Sequence, residues 1–310
     1  MPSQGDLLDQ LAAPYLESRR LHLASSTLSQ ERRHLGRFFA SLAGQGIDQV
    51  QAICEGHIAR YYTELRRLPN RQGASLSDSF MQQAILAVRG FLIWAHREGL
   101  LLWDFGGLAI PKRVDKIRRV PTTDEMRLLL EQPDLSGPVG LRDRLILELL
   151  YVLGLRAGEC SALDLYSADL AARTLTVVGK GGHQRLLPIS PKPYEFWLRY
   201  LEQARPRFLP GADERALLLS PKTGQRLSSQ SVFLRVRGYG ARIGLQLASH
   251  QLRHACATHL LEGGAEPPYI ARLLGHEDLS STMRYTRIRP LELKREYRRC
   301  HPRAIGGLHD

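Results

Sequence analysis

One stretch without periodicity divides this chain in two. Between Phe105 and Val120 lie Gly106, Gly107 and Pro111, then Lys112, Arg113, Lys116, Arg118 and Arg119, and Pro121 closes the run. Glycine and proline punctuate a chain, and a run of like charge does not pack into a core. The segment reads as a linker. At 310 residues the chain is also longer than one core usually serves. We expect a helical domain over residues 1–104, a basic linker over 105–121 and a second domain over 122–310.

Before the linker every periodic segment is helical. Leu7, Leu8, Leu11, Tyr15 and Leu16 recur at helical spacing, as do Leu35, Phe38, Phe39 and Leu42, which end at Gly44-Gln45-Gly46. Ile58, Tyr61, Tyr62 and Leu65 make a third set, and Ile85, Val88, Phe91, Leu92 and Trp94 a fourth within Asp78 to Glu98. The pattern predicts four helices whose polar faces carry Arg32, Arg33, Arg66, Arg67 and Arg71.

After the linker the pattern mixes. Thr122 and Glu125 have capping-box spacing ahead of Met126, Leu128, Leu129 and Leu130. An apolar helix is expected from Leu141 to Leu153, stopped by Gly154. Leu175 to Val178 and Leu186 to Ile189 read as strands, with Gly179-Lys180-Gly181-Gly182 as the hairpin turn. From Pro191 onward the pattern is again mostly helical. The expected fold class is mainly α with a small antiparallel β-sheet, a helical domain followed by a mixed α+β one.

Charge and cysteine usage narrow the function. The formal net charge of +12 favours a polyanionic partner, and nucleic acid is the usual one, although a basic protein without such a partner has the same balance. Cys54, Cys160, Cys256 and Cys300 are scattered without a CxxC pair, which argues against a zinc ribbon or a disulfide framework and for reduced thiols. The N-terminus lacks the basic and apolar regions of a signal peptide. The most apolar stretch, Leu145 to Leu155, carries Glu148 and is too short to span a bilayer. No membrane partner is expected, and the expected location is the cytoplasm.

Five segments carry candidate chemistry. Arg156, in Gly154-Leu155-Arg156-Ala157-Gly158-Glu159, follows a buried helix; by itself such an arginine is most often a surface or salt-bridged residue. Lys180 sits at a hairpin tip, where a solvated turn lysine is the ordinary case. In Ser249-His250-Gln251-Leu252-Arg253-His254, Ser249 can cap the helix, and His250 and Arg253 are one turn apart on one face. That pair suits a phosphate, since the guanidinium binds two oxygens in a fork and the imidazole handles a proton. For His254 and His259 we expect packing and helix-surface hydrogen bonds. Gly275 stops a short helix begun at Pro267-Pro268 and presents His276 on a loop, and a further short helix bears Ser281, Thr282, Arg284, Tyr285 and Thr286. A tyrosine there is usually a half-buried packing residue; its neighbours Arg284 and Arg287 suit a reactive phenol.

Taken together these segments resemble the tyrosine recombinase family. Arg156 with Glu159 matches the first arginine box, Lys180 the hairpin lysine, His250-Gln251-Leu252-Arg253-His254 the H-x-x-R-H box, Leu274-Gly275-His276 the L-G-H box, and Tyr285-Thr286 the nucleophile. One match would be coincidence, but an ordered set over about half the chain is specific. The N-terminal half resembles the family's helical core-binding domain. The tail His301-Pro302-Arg303-Ala304 is similar to that of bacterial Xer-type members, and no arm-binding domain of the kind found in larger phage integrases is expected ahead of residue 1.

The resemblance implies a mechanism. Tyr285 would attack the scissile phosphate and form a 3′-phosphotyrosyl bond, which conserves bond energy so that no ATP is needed. Arg156 and Arg253 would stabilise the charged transition state in place of metal ions. Lys180 would protonate the departing 5′-oxygen, and His250 and His276 would handle the tyrosine proton or bind phosphoryl oxygens. Glu159 reads as a structural partner. No cofactor is expected. The expected partners are double-stranded DNA with inverted-repeat half-sites, clamped between the two domains, further copies of the chain in a tetramer on DNA docked by the helix from about Leu291 to Arg299, and a second recombinase or activating protein. Arg235, Arg237 and Arg242, between Ser228 and Gly244, would put a helix in the major groove, although a basic surface helix has the same pattern.

Other classes remain open at this point. His250 and His254 are spaced as metal ligands with Cys256 and His259 nearby, which suits a metal-dependent nuclease, but no acidic cluster accompanies them and Arg253 brings a positive charge. A type IB topoisomerase-like enzyme shares the tyrosine–arginine–lysine logic. A DNA-binding protein without catalysis is a third reading. Gly179-Lys180-Gly181 lacks the earlier glycine and the following Ser or Thr of a nucleotide-binding loop, which rules that loop out.

Overall fold

Helical stripes and capping residues set most of the boundaries. The structure is a computed structural model and describes residues 6–23, 25–70, 73–110, 119–179, 182–209, 214–275 and 290–305. The chain divides into two compact units, Met1–Ile117 and Arg118–Asp310.

In the first unit α1 (Asp6–Arg20), α2 (Ser25–Gly44), α3 (Glu55–Arg67) and α4 (Asp78–Arg97) bury their apolar stripes against one another. Tyr15, Leu35, Phe38, Leu42, Tyr61, Leu65, Val88 and Leu92 are all buried. Phe91 lies at the centre, edge-on to Phe39 at 5.3 Å and to Tyr15 at 5.7 Å, the offset geometry aromatic rings prefer. Gly90 lets Tyr15 approach: a Cβ there would stand 2.6 Å from its hydroxyl oxygen. The core continues past α4 to Leu101 and Phe105, and Arg89 donates to the Gly106 carbonyl, so the segment after the helix folds back onto the same core.

The second unit begins with the Thr122 cap. Its hydroxyl accepts from Glu125 N–H at 3.2 Å and the Glu125 carboxylate accepts from Thr122 N–H at 2.9 Å, which starts α5 (Thr123–Leu130). The central helix α6 (Pro138–Tyr151) is buried along most of its length, charged residues included. Arg142 donates to Asp143 and to the Leu219 carbonyl, and Arg144 pairs with Glu148 at 2.9 Å, so the buried charges are compensated. The chain continues through α7 (Ala157–Ser161) into a three-stranded antiparallel sheet of β1 (Ala168–Asp169), β2 (Thr174–Val178) and β3 (Gln184–Pro188). Leu175 faces Leu187, and Val177 faces Arg185.

Next come α8 (Pro191–Arg199), running on through a π-helical turn at Tyr200–Ala204, then α9 (Ser229–Arg242), α10 (Ser249–Glu262), α11 (Pro267–Leu274), α12 (Pro290–Cys300) and α13 (Pro302–Ile305). The fold class is mainly α with a small antiparallel sheet. Two sequence expectations are corrected locally. The two-residue β1 adds a third strand to the hairpin. Ser249 is the first residue of α10 rather than its cap; the Gln251 side chain reaches back to accept from Ala248 N–H at 2.8 Å instead. The apolar side of α12 packs on its own unit, with Leu293 and Tyr297 buried and Tyr297 donating to the Val152 carbonyl at 2.7 Å. All four cysteines are free thiols, Cys54 exposed and the other three buried. Among the described residues no helix is long and apolar enough to cross a membrane.

Candidate active site

A glycine stop creates the first half of the site. Helix α6 ends at Tyr151, Leu155 N–H folds back to the Leu149 carbonyl at 3.2 Å, and Gly154 takes a left-handed φ of 62°. The reversal leaves Arg156 as the residue preceding α7, its side chain half-exposed. The second half comes from α10, which carries an exposed His250 and a buried Arg253. Arg156, His250, Arg253, His254 and Leu274 line one cleft of about 420 Å³.

Glu159 organises the positive charge behind this cleft. Its Oε1 accepts from Arg156 Nη1 at 2.7 Å and its Oε2 from Arg156 N–H at 2.9 Å. Arg185 reaches it from β3 as a two-pronged fork, at 2.9 and 2.8 Å. Arg253 Nη1 stands 3.9 Å from Oε2. Burial alone would raise the Glu159 carboxyl, but the hydrogen bonds from Arg185 and Arg156 outweigh it and hold the group down at about 2. Arg253 is pulled down to about 10, first by burial and then by the neighbouring charge of Arg156. Three guanidinium groups around one carboxylate leave net positive charge beside the cleft, which suits an anion.

Arg253 is held by main-chain carbonyls. It donates to Gly154 at 2.7 Å and to Leu274 at 2.5 Å. Arg185 Nε donates to the Leu273 carbonyl at 3.0 Å. Two arginines thus cap the last carbonyls of α11, where Gly275 closes the helix with a φ of 65°. A Cβ at Gly275 would stand 3.0 Å from the Arg185 Cδ, so this position needs both the conformation and the small size of glycine.

Of the six residues expected from the sequence, the structure brings Arg156, His250 and Arg253 to one cleft. Lys180, His276 and Tyr285 lie outside the described residues. His259 is buried, its Nδ1 2.9 Å from the Tyr151 hydroxyl, and Cys256 is fully buried. These two do not join His250 and His254, and among the described residues no group of three or more His, Cys, Asp or Glu is placed to hold a metal ion. Arg185 was not singled out from the sequence. The signal is in the register: Arg185 lies two residues before the buried Leu187 on β3 and shares its face, so a charge faces inward and needs a partner.

The profile of the phage integrase family matches residues 119–292. The chain is 36% identical over 293 residues to tyrosine recombinase XerD of Mycobacterium tuberculosis (strain ATCC 25618 / H37Rv), covering 91% of this chain and 93% of that protein. It is 35% identical over 279 residues to tyrosine recombinase XerC of Pelotomaculum thermopropionicum, covering 87% and 89%. Two solved structures share the fold. The XerH site-specific recombinase bound to difH substrate, a pre-cleavage complex, gives a TM-score of 0.68 at 17% identity and covers 94% of this chain and 95% of that one. A lambda integrase dimer bound to a COC′ core site gives 0.67 at 19% identity and covers 90% and 94%.

Proposed function

The chain belongs to the phage integrase family, the tyrosine recombinases, and we propose that its site-specific recombination of DNA is carried by Arg156, Lys180, His250, Arg253, His276 and Tyr285. The enzyme cleaves and rejoins duplex DNA through a 3′-phosphotyrosyl intermediate, without metal or ATP. The observation that carries the residue assignment is the cleft itself, where Arg156, His250 and Arg253 converge over the buried Glu159.

The chemistry follows from the residue types. The Tyr285 oxygen attacks phosphorus as the bond to the 5′-oxygen breaks, and Lys180 gives that oxygen its proton. Negative charge grows on the non-bridging oxygens, and Arg156 and Arg253 answer it with fixed hydrogen-bond donors. His250 and His276 take up the phenol proton or bind those oxygens. The free 5′-hydroxyl of a partner strand then reverses the step. The partner is double-stranded DNA with inverted-repeat half-sites, and strand exchange takes place in a tetramer on two duplexes in the cytoplasm. A second recombinase or an activating protein joins where the site demands it. A stable tetramer of the free protein in dilute gel filtration would overturn assembly on DNA.

The test is covalent capture. The protein is mixed with sheared DNA from its own source in EDTA, the reaction is stopped with SDS, and protein-linked DNA is sequenced beside Tyr285→Phe. We expect one short inverted-repeat site, lost in the variant. Equal capture by the variant removes Tyr285 as nucleophile, and capture that EDTA abolishes restores the metal-dependent reading.

A further inference from the structure

We propose that Arg185 is a positioning residue for DNA cleavage: by engaging Glu159 with both prongs of its guanidinium, it leaves the Arg156–Arg253 pair with a surplus of two positive charges for the scissile phosphate. This rests on the cleavage chemistry proposed above.

Three guanidinium groups, Arg156, Arg185 and Arg253, share one buried carboxylate. A phosphodiester carries one negative charge in the ground state and gains a second on its non-bridging oxygens as the nucleophile adds. The surplus therefore matches the transition state better than the substrate, which is the condition for accelerating the step rather than tightening binding. Arg185 does not line the cleft, and its side chain is only 11% exposed. Its bonds run instead to Glu159 and to the Leu273 carbonyl, so it links β3, α7 and the end of α11. Without it, Glu159, which already accepts from Arg156 Nη1 at 2.7 Å and stands 3.9 Å from Arg253, would have its charge balanced by those two arginines alone. The surplus would fall to one.

Charge balance separates this role from simple support. Arg185→Gln removes one positive charge, whereas Arg185→Gln combined with Glu159→Gln removes one of each sign and restores the surplus. On the DNA site recovered by covalent capture, Arg185→Gln should form the phosphotyrosyl adduct about tenfold or more slowly in single turnover, with DNA affinity within about twofold of wild type. The double variant should recover most of that rate although it lacks the native ion pair. On a substrate with a methylphosphonate at the scissile position, which removes the charge on a non-bridging oxygen, the deficit of Arg185→Gln should shrink. A double variant no faster than the single one, or an undiminished deficit on the methylphosphonate, would overturn the proposal. Inorganic sulfate binding, read by calorimetry, gives an arm that does not depend on cleavage. Arg185→Gln should weaken it and the double variant restore it; if wild type forms no DNA adduct the cleavage reading falls, and equal sulfate affinity in wild type and Arg185→Gln sinks the charge-balance role separately.

Discussion

Arg253 Nη1 donates to the carbonyl oxygen of Gly154 at 2.7 Å. The second arginine of the site is thereby anchored to the turn that presents the first, Arg156, two residues further on. The turn needs glycine twice over, because its φ is 62° and a Cβ would stand 2.5 Å from the Leu274 Cδ2.

Gly154→Ala should therefore cost about 1–3 kcal/mol through left-handed strain and the clash with Leu274. Adduct formation should fall as the Arg253 acceptor moves. Thermal unfolding beside single-turnover cleavage checks both; an unchanged melting temperature would mean the turn relaxes without strain.

His301 is fully buried between Tyr151 and Tyr297, and its Nδ1 accepts from Arg303 N–H at 3.2 Å. Burial, reinforced by His259, pushes its imidazole down to about 3. The folded state thus binds the proton less readily than the unfolded state, whose histidine titrates near 6.5. The associated stability is complete above about pH 6.5 and is lost as pH falls toward 3. His301→Phe should keep the ring stacking and flatten the acid limb of a melting-temperature profile; an unchanged limb would place the sensitivity elsewhere.

Glu148 ties the C-terminal helix to the central one. Its Oε1 accepts from Arg144 at 3.0 Å and from Arg303 at 2.6 Å, inside a site where the carboxylate has no exposure. Glu148→Gln leaves buried positive charge behind and should cost about 3 kcal/mol or more, whereas Arg303→Met leaves the Arg144 pair intact and should cost less. The double variant should cost less than the sum of the two, because Arg303→Met removes one of the charges that Glu148→Gln leaves unpaired. Denaturant melts of the three variants decide this; full additivity would count against a shared network.

Arg235, Arg237 and Arg242 are exposed on α9, with Arg242 stacked 4.8 Å above the Tyr239 ring. If this helix tracks the DNA backbone, changing all three to Gln should lower the slope of log affinity against log salt by up to about 0.9 for each phosphate no longer neutralised. Titration at several salt concentrations reads it. An unchanged slope would leave α9 off the backbone.

What the sequence determined alone is what depends on near neighbours. The Thr122–Glu125 cap, the stop at Gly154, the stripe through Phe91 and the β2–β3 hairpin all involve residues within a turn or a pairing register of one another, so their spacing is visible in one dimension. The ordered boxes around Arg156 and Arg253 could be read for the same reason. What only the tertiary structure decided is the partnership of those boxes. Glu159 and Arg185 are 26 residues apart, and Arg253 meets Gly154 across 99. Such pairings exist only after β3, α7, α10 and α11 have docked. Their strength comes from the buried setting, where an unpaired charge is costly and a shared carboxylate can be held ionised by several arginines at once.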